Sequence, residues 1–178
     1  MRLTHRHPFL MGAVLCAAVL SCGKEEKPVP ATARLVPAST ATPADSAVTI
    51  SIAGVQTEVT FTRLDMGQIL DVFDGKRESM ARTENATTAV IDLAFQGALE
   101  ASSLEVITGT MDVGLEVTLT LADKPEPLVF STKLVQQTTE PTVRLDFGGT
   151  QKFKRARVEI TNLNGGDGHI HIYEVVFK

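Results

Sequence analysis

The segment LEVTLTL, residues 115–121, alternates apolar and polar side chains without a break. A period of two suits a β-strand with one buried face and one wet face, and a helix cannot use it. The same beat recurs from residue 47 onward. VQTEVTFT places Val55, Thr57, Val59 and Phe61 on one face, and AVIDLAF places Ile91, Leu93 and Phe95 together. LVFSTKL aligns Leu128, Phe130, Thr132 and Leu134, VRLDF aligns Val143, Leu145 and Phe147, and ARVEIT aligns Ala156, Val158 and Ile160. The final run, HIHIYEVVF, puts Ile170 and Ile172 on one face and, by the same parity, Glu174 with them. DKPEP, GGTQK and NLNGGDG separate the runs with turn formers. The pattern implies one all-β domain over residues 47–178, an antiparallel jelly-roll β-sandwich. Only RLDMGQILDVF breaks the beat. It reads as a short helical turn that packs Leu64, Ile69, Leu70, Val72 and Phe73 on the sandwich end. No internal repeat and no second domain are visible.

Residues 1–46 follow a different rule. Arg2 and Arg6 precede an apolar run, residues 9–20. That run falls short of the ~20 residues a membrane-spanning helix needs, and the layout is that of a secretory leader. It ends in VLSC. Ser21 before Cys22 resembles the cleavage site of bacterial lipoproteins. The resemblance implies removal of residues 1–21, acylation of Cys22 with diacylglycerol and palmitate, and a membrane anchor at the cell envelope. In a host with two membranes it implies sorting to the outer one. Cys16 lies inside the apolar run behind bulky Leu15 and fits the site less well. The alternative is an ordinary secretory leader with an incidental cysteine. Residues 22–46 hold four of the eight prolines and no aromatic residue. Such a segment cannot bury enough surface to order itself, which suits a disordered tether. Loss of Arg2 and Arg6 moves the formal charge from −4 to −6, a balance that argues against a nucleic-acid partner. With Cys16 removed and Cys22 lipidated, no thiol is left for a disulfide, a zinc site or a nucleophile. A domain of this length can build its core without one.

Three pieces of the domain then line up. VFDG, residues 72–75, is followed four residues later by Ser79. TTAVIDLAF begins a strand after that loop. FKRARVEIT and HIHIYEVVF form a final pair, with Glu174 ahead of two valines. This order resembles the discoidin, or galactose-binding-like, domain, related to the C-terminal domains of coagulation factors and to a family of carbohydrate-binding modules. The resemblance implies non-catalytic binding of a carbohydrate or glycoconjugate through loops of the sandwich, with calcium stabilising the Asp-Gly loop. The family's calcium ligands transfer to Asp74, Ser79 and Glu174. Lys76 stands where the family has a further loop aspartate, and Ala81 lies near the place of a tryptophan. An ammonium group is no ligand for calcium, which takes about six to eight oxygens. The metal-free alternative is a plain turn, with Asp74 capping it and Gly75 supplying a positive φ.

The loop residues Arg77, Arg82, Glu84 and Asn85 are the candidate glycan contacts, because they can hydrogen-bond hydroxyls. Stacking platforms are scarce: the chain has no tryptophan and one tyrosine. His169 and His171, at i and i+2 on one strand face, form an alternative metal pair, with Asp167 as the nearest third ligand. An exposed sheet face produces the same pattern. KFKRARVE is the one basic cluster, in which Arg155 and Arg157 share a face. It suits an anionic glycan, a lipid head group or simple solvation. No nucleophile elbow, phosphate loop or histidine–acid array is present, so the expectation is a protein that is not an enzyme. The alternative function is a protein-interaction or structural subunit of an envelope complex. The expected partners are therefore a membrane, through the lipid, and a glycan or an envelope protein.

Overall fold

The structure is a computed structural model that describes residues 47–135, 141–165 and 168–178. The leader, Cys22 and the tether to residue 46 lie outside the described residues, as does Asp167. The strands are β1 (Ala47–Ile52), β2 (Val55–Phe61), β3 (Leu64–Met66), β4 (Ala81–Thr83), β5 (Thr88–Thr108), β6 (Asp112–Leu121), β7 (Leu128–Val135), β8 (Thr142–Asn162) and β9 (His171–Phe177). A 3-10 turn, Ile69–Val72, joins β3 to β4. Every pairing among them is antiparallel.

Two strands of 21 residues each, β5 and β8, turn this ladder into a sandwich. The first part of β5 pairs with β2 and with residues 155–161 of β8. Its last part pairs with residues 142–146 of β8 and with β9. The register shifts between Ala94 and Leu99 and again between Ala101 and Ser103. Such irregularities bend a strand and let it pass from one layer to the next. One layer thus reads β1-β2-β5-β8-β6-β7 and the other β3-β4-β9-β5-β8. Gly148 and Gly149, at φ +71° and +135°, make the second bend possible, since a side chain there would be strained.

The alternating residues meet between the layers. Leu115, Val117, Leu119 and Leu121 are buried, as are Ile91, Leu93, Phe95, Val143, Leu145, Phe147, Val158 and Ile160. Phe95, Phe153 and Phe177 contact one another around the first register shift, with ring centroids 5.6–6.1 Å apart. Burying one such ring stabilises the fold by roughly 1.5–3 kcal/mol. The helical turn forms where expected, but as a 3-10 turn. Its period of three puts Ile69 and Val72 on one buried face and leaves Leu70 51% exposed. Leu70 is therefore not part of the packing at the sandwich end.

Candidate functional site

Strand β9 carries candidate residues on both sides of a bulge. Thr108 pairs with Ile172 but Ile107 pairs with Glu174, which leaves Tyr173 as the extra residue. The bulge hands the inward phase from Ile170 and Ile172 to Val175 and Phe177. Glu174 therefore leaves the core face that simple alternation assigned to it. It is still only 6% exposed. The Asp74 carboxylate and the amides of Gly75 and Lys76 crowd against it. Burial, and then the Asp74 charge, raise the Glu174 pKa above the usual carboxylate value, while the two amides oppose the rise. Glu174 Oε2 is buried and has no hydrogen-bond partner among the described residues.

The facing loop closes on itself. Asp74 Oδ1 accepts the Lys76 amide at 2.8 Å, and Asp74 Oδ2 accepts the Ser79 hydroxyl at 2.8 Å. The Ser79 hydroxyl also lies 3.0 Å from the Lys76 carbonyl oxygen. The Ser79 bond is the main reason that Asp74 titrates below the usual carboxylate range. Gly75 sits at φ +74°, so the turn chemistry of Asp74-Gly75 is present. The Lys76 side chain is exposed and forms no ion pair with Asp74 or Glu174. Glu174 thus brings a buried oxygen that lacks a partner up to a loop that holds the Asp74 carboxylate, the Ser79 hydroxyl and the Lys76 carbonyl. This all-oxygen donor set fits a hard cation such as calcium, with water completing the shell. No group of three or more His, Cys, Asp or Glu forms a metal cluster among the described residues.

On the N-terminal side of the bulge, Arg82 of β4 is the cross-strand partner of His171. Ala81 and Ile172 beside them are buried, so Arg82 and His171 face away from the core. Arg82 grips Asp65 of β3 through two parallel bonds, Nε to Oδ1 and Nη2 to Oδ2, both 2.8 Å. That pairing is the main cause of the lowered Asp65 pKa. His169 Nδ1 lies 2.6 Å from the Thr83 carbonyl oxygen and 3.9 Å from Asp65 Oδ2. A carbonyl can only accept, so Nδ1 carries the proton and Nε2 of the neutral ring is an acceptor. Burial, then the Arg82 and His169 charges, push the His171 pKa down. Tyr173 lies across Gly109, where a Cβ would come within 3.3 Å of its ring and 3.0 Å of His171 Cβ. Main-chain bonds hold the group in place: Gly109 N–H donates to the His171 carbonyl at 3.0 Å, and Ile170 N–H to Thr83 Oγ1 at 2.8 Å. The outcome is an outward face with a guanidinium, a carboxylate, two imidazoles and a phenol ring.

Of the four loop candidates, only Arg82 reaches this face. Glu84 forms a 2.6 Å ion pair with Arg63. Asn85 is exposed in a turn at φ +45°, and Arg77 is exposed on the Asp74 loop. Sequence reasoning missed Asp65 and Gly109. Asp65 sits in RLDMG, which reads as helical, and only its pairing with Arg82, 17 residues on, reveals its role. The small residue that makes room for Tyr173 leaves no signal of its own.

No family model matches the chain, and no curated protein matches it. Solved structures do. A CBM32 of AlyQ, in complex with 4,5-unsaturated mannuronic acid, superposes with a TM-score of 0.54 at 16% identity, over 74% of this chain and 98% of that one. The family 32 CBM of C. perfringens NanJ, in complex with galactose, gives 0.52 at 16% identity, over 67% and 90%. This chain has the galactose-binding-like fold. A pectin binding carbohydrate binding module superposes on the same fold with a TM-score of 0.50 at 10% identity, over 75% and 92%.

Proposed function

We propose that the protein is a non-catalytic carbohydrate-binding lipoprotein of the cell envelope, which recognises a sugar on the β4–β9 face. The observation that carries this reading is the array of Tyr173, His171, Arg82 and Asp65. An aromatic ring offers contact to the apolar face of a pyranose, and fixed planar polar groups beside it match the hydroxyls. The neighbours of the same fold, solved with a mannuronic acid or galactose, support it.

Each residue has a derivable part. Asp65 fixes the Arg82 fork, so little side-chain freedom is lost on binding. The Thr83 carbonyl sets the His169 tautomer and so presents an acceptor at Nε2. The lowered His171 pKa keeps that ring neutral at neutral pH, able to donate from one nitrogen and accept at the other. Asp74, Glu174, Ser79 and the Lys76 carbonyl would hold a calcium ion, which when bound supplies the positive charge that the two facing carboxylates lack. Cys22, lipidated, would anchor the tether.

Calorimetric titration of the full chain with galactose and with mannuronate tests the reading. Tyr173→Ala and Arg82→Ala are each expected to weaken binding at least about tenfold, the loss of one stacking contact or one charge-assisted pair. Unchanged affinity in both variants overturns the assignment of the face, and release of new reducing ends during incubation with an oligosaccharide overturns the non-catalytic part. A second reading, docking to an envelope protein, has its own observation: a cleft of about 330 Å³ lined by Val48, Phe61, Leu64, Ile69 and the exposed Leu70. A partner lost on Leu70→Asp, with no glycan bound by the wild type, would favour it.

A further inference from the structure

The outer face of the other layer has a feature that the β4–β9 site does not use. Strands β2, β5, β8 and β6 line a trough of about 500 Å³. Arg157 and Asp92 stand in one cross-strand row, and Thr120, Arg155, Ala94 and Glu58 in the next. The trough mixes charged and threonine side chains with alanines, and Ala94 leaves space between its longer neighbours.

Arg157 is held by acids on two sides. Its Nη1 donates to both oxygens of Asp92, at 3.0 and 3.2 Å, and its Nε donates to Glu159 Oε1 at 2.6 Å. The side chain is 18% exposed. Nη2 is buried and has no acceptor among the described residues. Two acids thus fix the plane of one guanidinium and leave its third nitrogen buried and unpaired, which costs free energy. Arg155 lies two residues away on the same face, about 6.8 Å along the strand. It is exposed and takes part in none of the ion pairs among the described residues. The open donor of the trough is therefore the Arg155 guanidinium, beside the fixed Arg157. Asp92 and Glu159 are occupied by Arg157. Glu58 stands two strand spacings from Arg155, about 9.6 Å away, where it can accept from hydroxyls.

We infer that this trough is a second binding surface, which takes an acidic oligosaccharide lying across the strands, with a uronate carboxylate on Arg155. A planar carboxylate matches the fork of a guanidinium, and the threonine hydroxyls and Glu58 serve the ring hydroxyls. Four strands span about 14 Å, room for several sugar units rather than one. The trough has no aromatic ring, so the charged contacts carry the affinity and salt weakens it.

The test is titration of the full chain with tetragalacturonate at low salt, for the wild type, Arg155→Ala, Arg155→Lys and Arg82→Ala. Arg155 is exposed, so its replacement leaves the fold intact. Arg155→Ala is expected to raise Kd about tenfold or more, and Arg155→Lys to recover part of that loss. Equal affinity of wild type and Arg155→Ala overturns the inference, as does a wild type that does not bind the acid. Loss in Arg82→Ala with none in Arg155→Ala places the acid on the β4–β9 face, which sinks the trough and leaves the proposed function standing.

Discussion

Replacement of Glu174 by glutamine separates two roles for the buried carboxylate. In the absence of a cation, Glu174 and Asp74 face each other as like charges, and Glu174 Oε2 lacks a partner. Leaving such an atom unsatisfied costs about 1–3 kcal/mol. Glutamine keeps the shape and removes the charge. At neutral pH in chelator, Glu174→Gln is expected to be more stable than the wild type by about 1 kcal/mol, roughly 2–4 °C in Tm. The sign follows from linkage. The folded pKa of Glu174 is raised above the ordinary 4.5, so its contribution is fully present below 4.5 and is lost as pH rises through the folded value. The gap between variant and wild type should therefore close in acid. Calcium reverses the order. At a concentration of about 100 Kd it stabilises the wild type by about 2.7 kcal/mol, and the variant, with only a neutral oxygen to offer, gains much less. Scanning calorimetry in chelator and in millimolar calcium reads both effects. A variant less stable than the wild type in chelator, with no calcium shift in the wild type, would refute the reasoning and make Glu174 an acceptor for the loop amides alone.

Other perturbations give separate checks. Gly67 sits at φ +71°, and a Cβ there would come within 2.0 Å of the Met80 carbonyl oxygen; Gly67→Ala should cost at least roughly 2 kcal/mol in a urea melt. His171 has a folded pKa below its ordinary 6.5, so the unfolded chain takes up a proton first, and stability present above 6.5 is lost as pH falls through the folded value. His171→Gln should flatten that part of the Tm-against-pH curve, and an unchanged curve would contradict the assignment. Cys22→Ala should abolish incorporation of labelled palmitate and release the protein from membranes, whereas persistent labelling would point to another anchor.

The parts of the fold that were legible in the sequence are those in which one strand face is buried and the other wet. Leu115 to Leu121 shows the reason: the pleat turns a two-residue beat into an inside and an outside. The second part of β5 was not legible. Its stretch LEASSLEVIT buries Ala101, Ser103, Leu104 and Val106, and buried small and polar residues erase the alternation. The site was legible only in part for a related reason. Glu174 was marked by its place near the end of the chain, but the bulge at Tyr173 changes its face, and a bulge is set by pairing with Ile107 and Thr108 rather than by local residues. The same limit hides Asp65 behind Arg82 and Asp92 behind Arg157. Those partners are 17 and 65 residues apart and meet only through the sheet register.

The most direct measurement is a broad glycan array probed with the full chain, with calcium and with chelator, beside the Tyr173→Ala variant. Glycan recognition on the β4–β9 face predicts specific binding by the wild type that Tyr173→Ala loses, and calcium in the Asp74 loop predicts that chelator weakens it. Silence of the wild type in both conditions would contradict glycan binding and move the function to a protein contact.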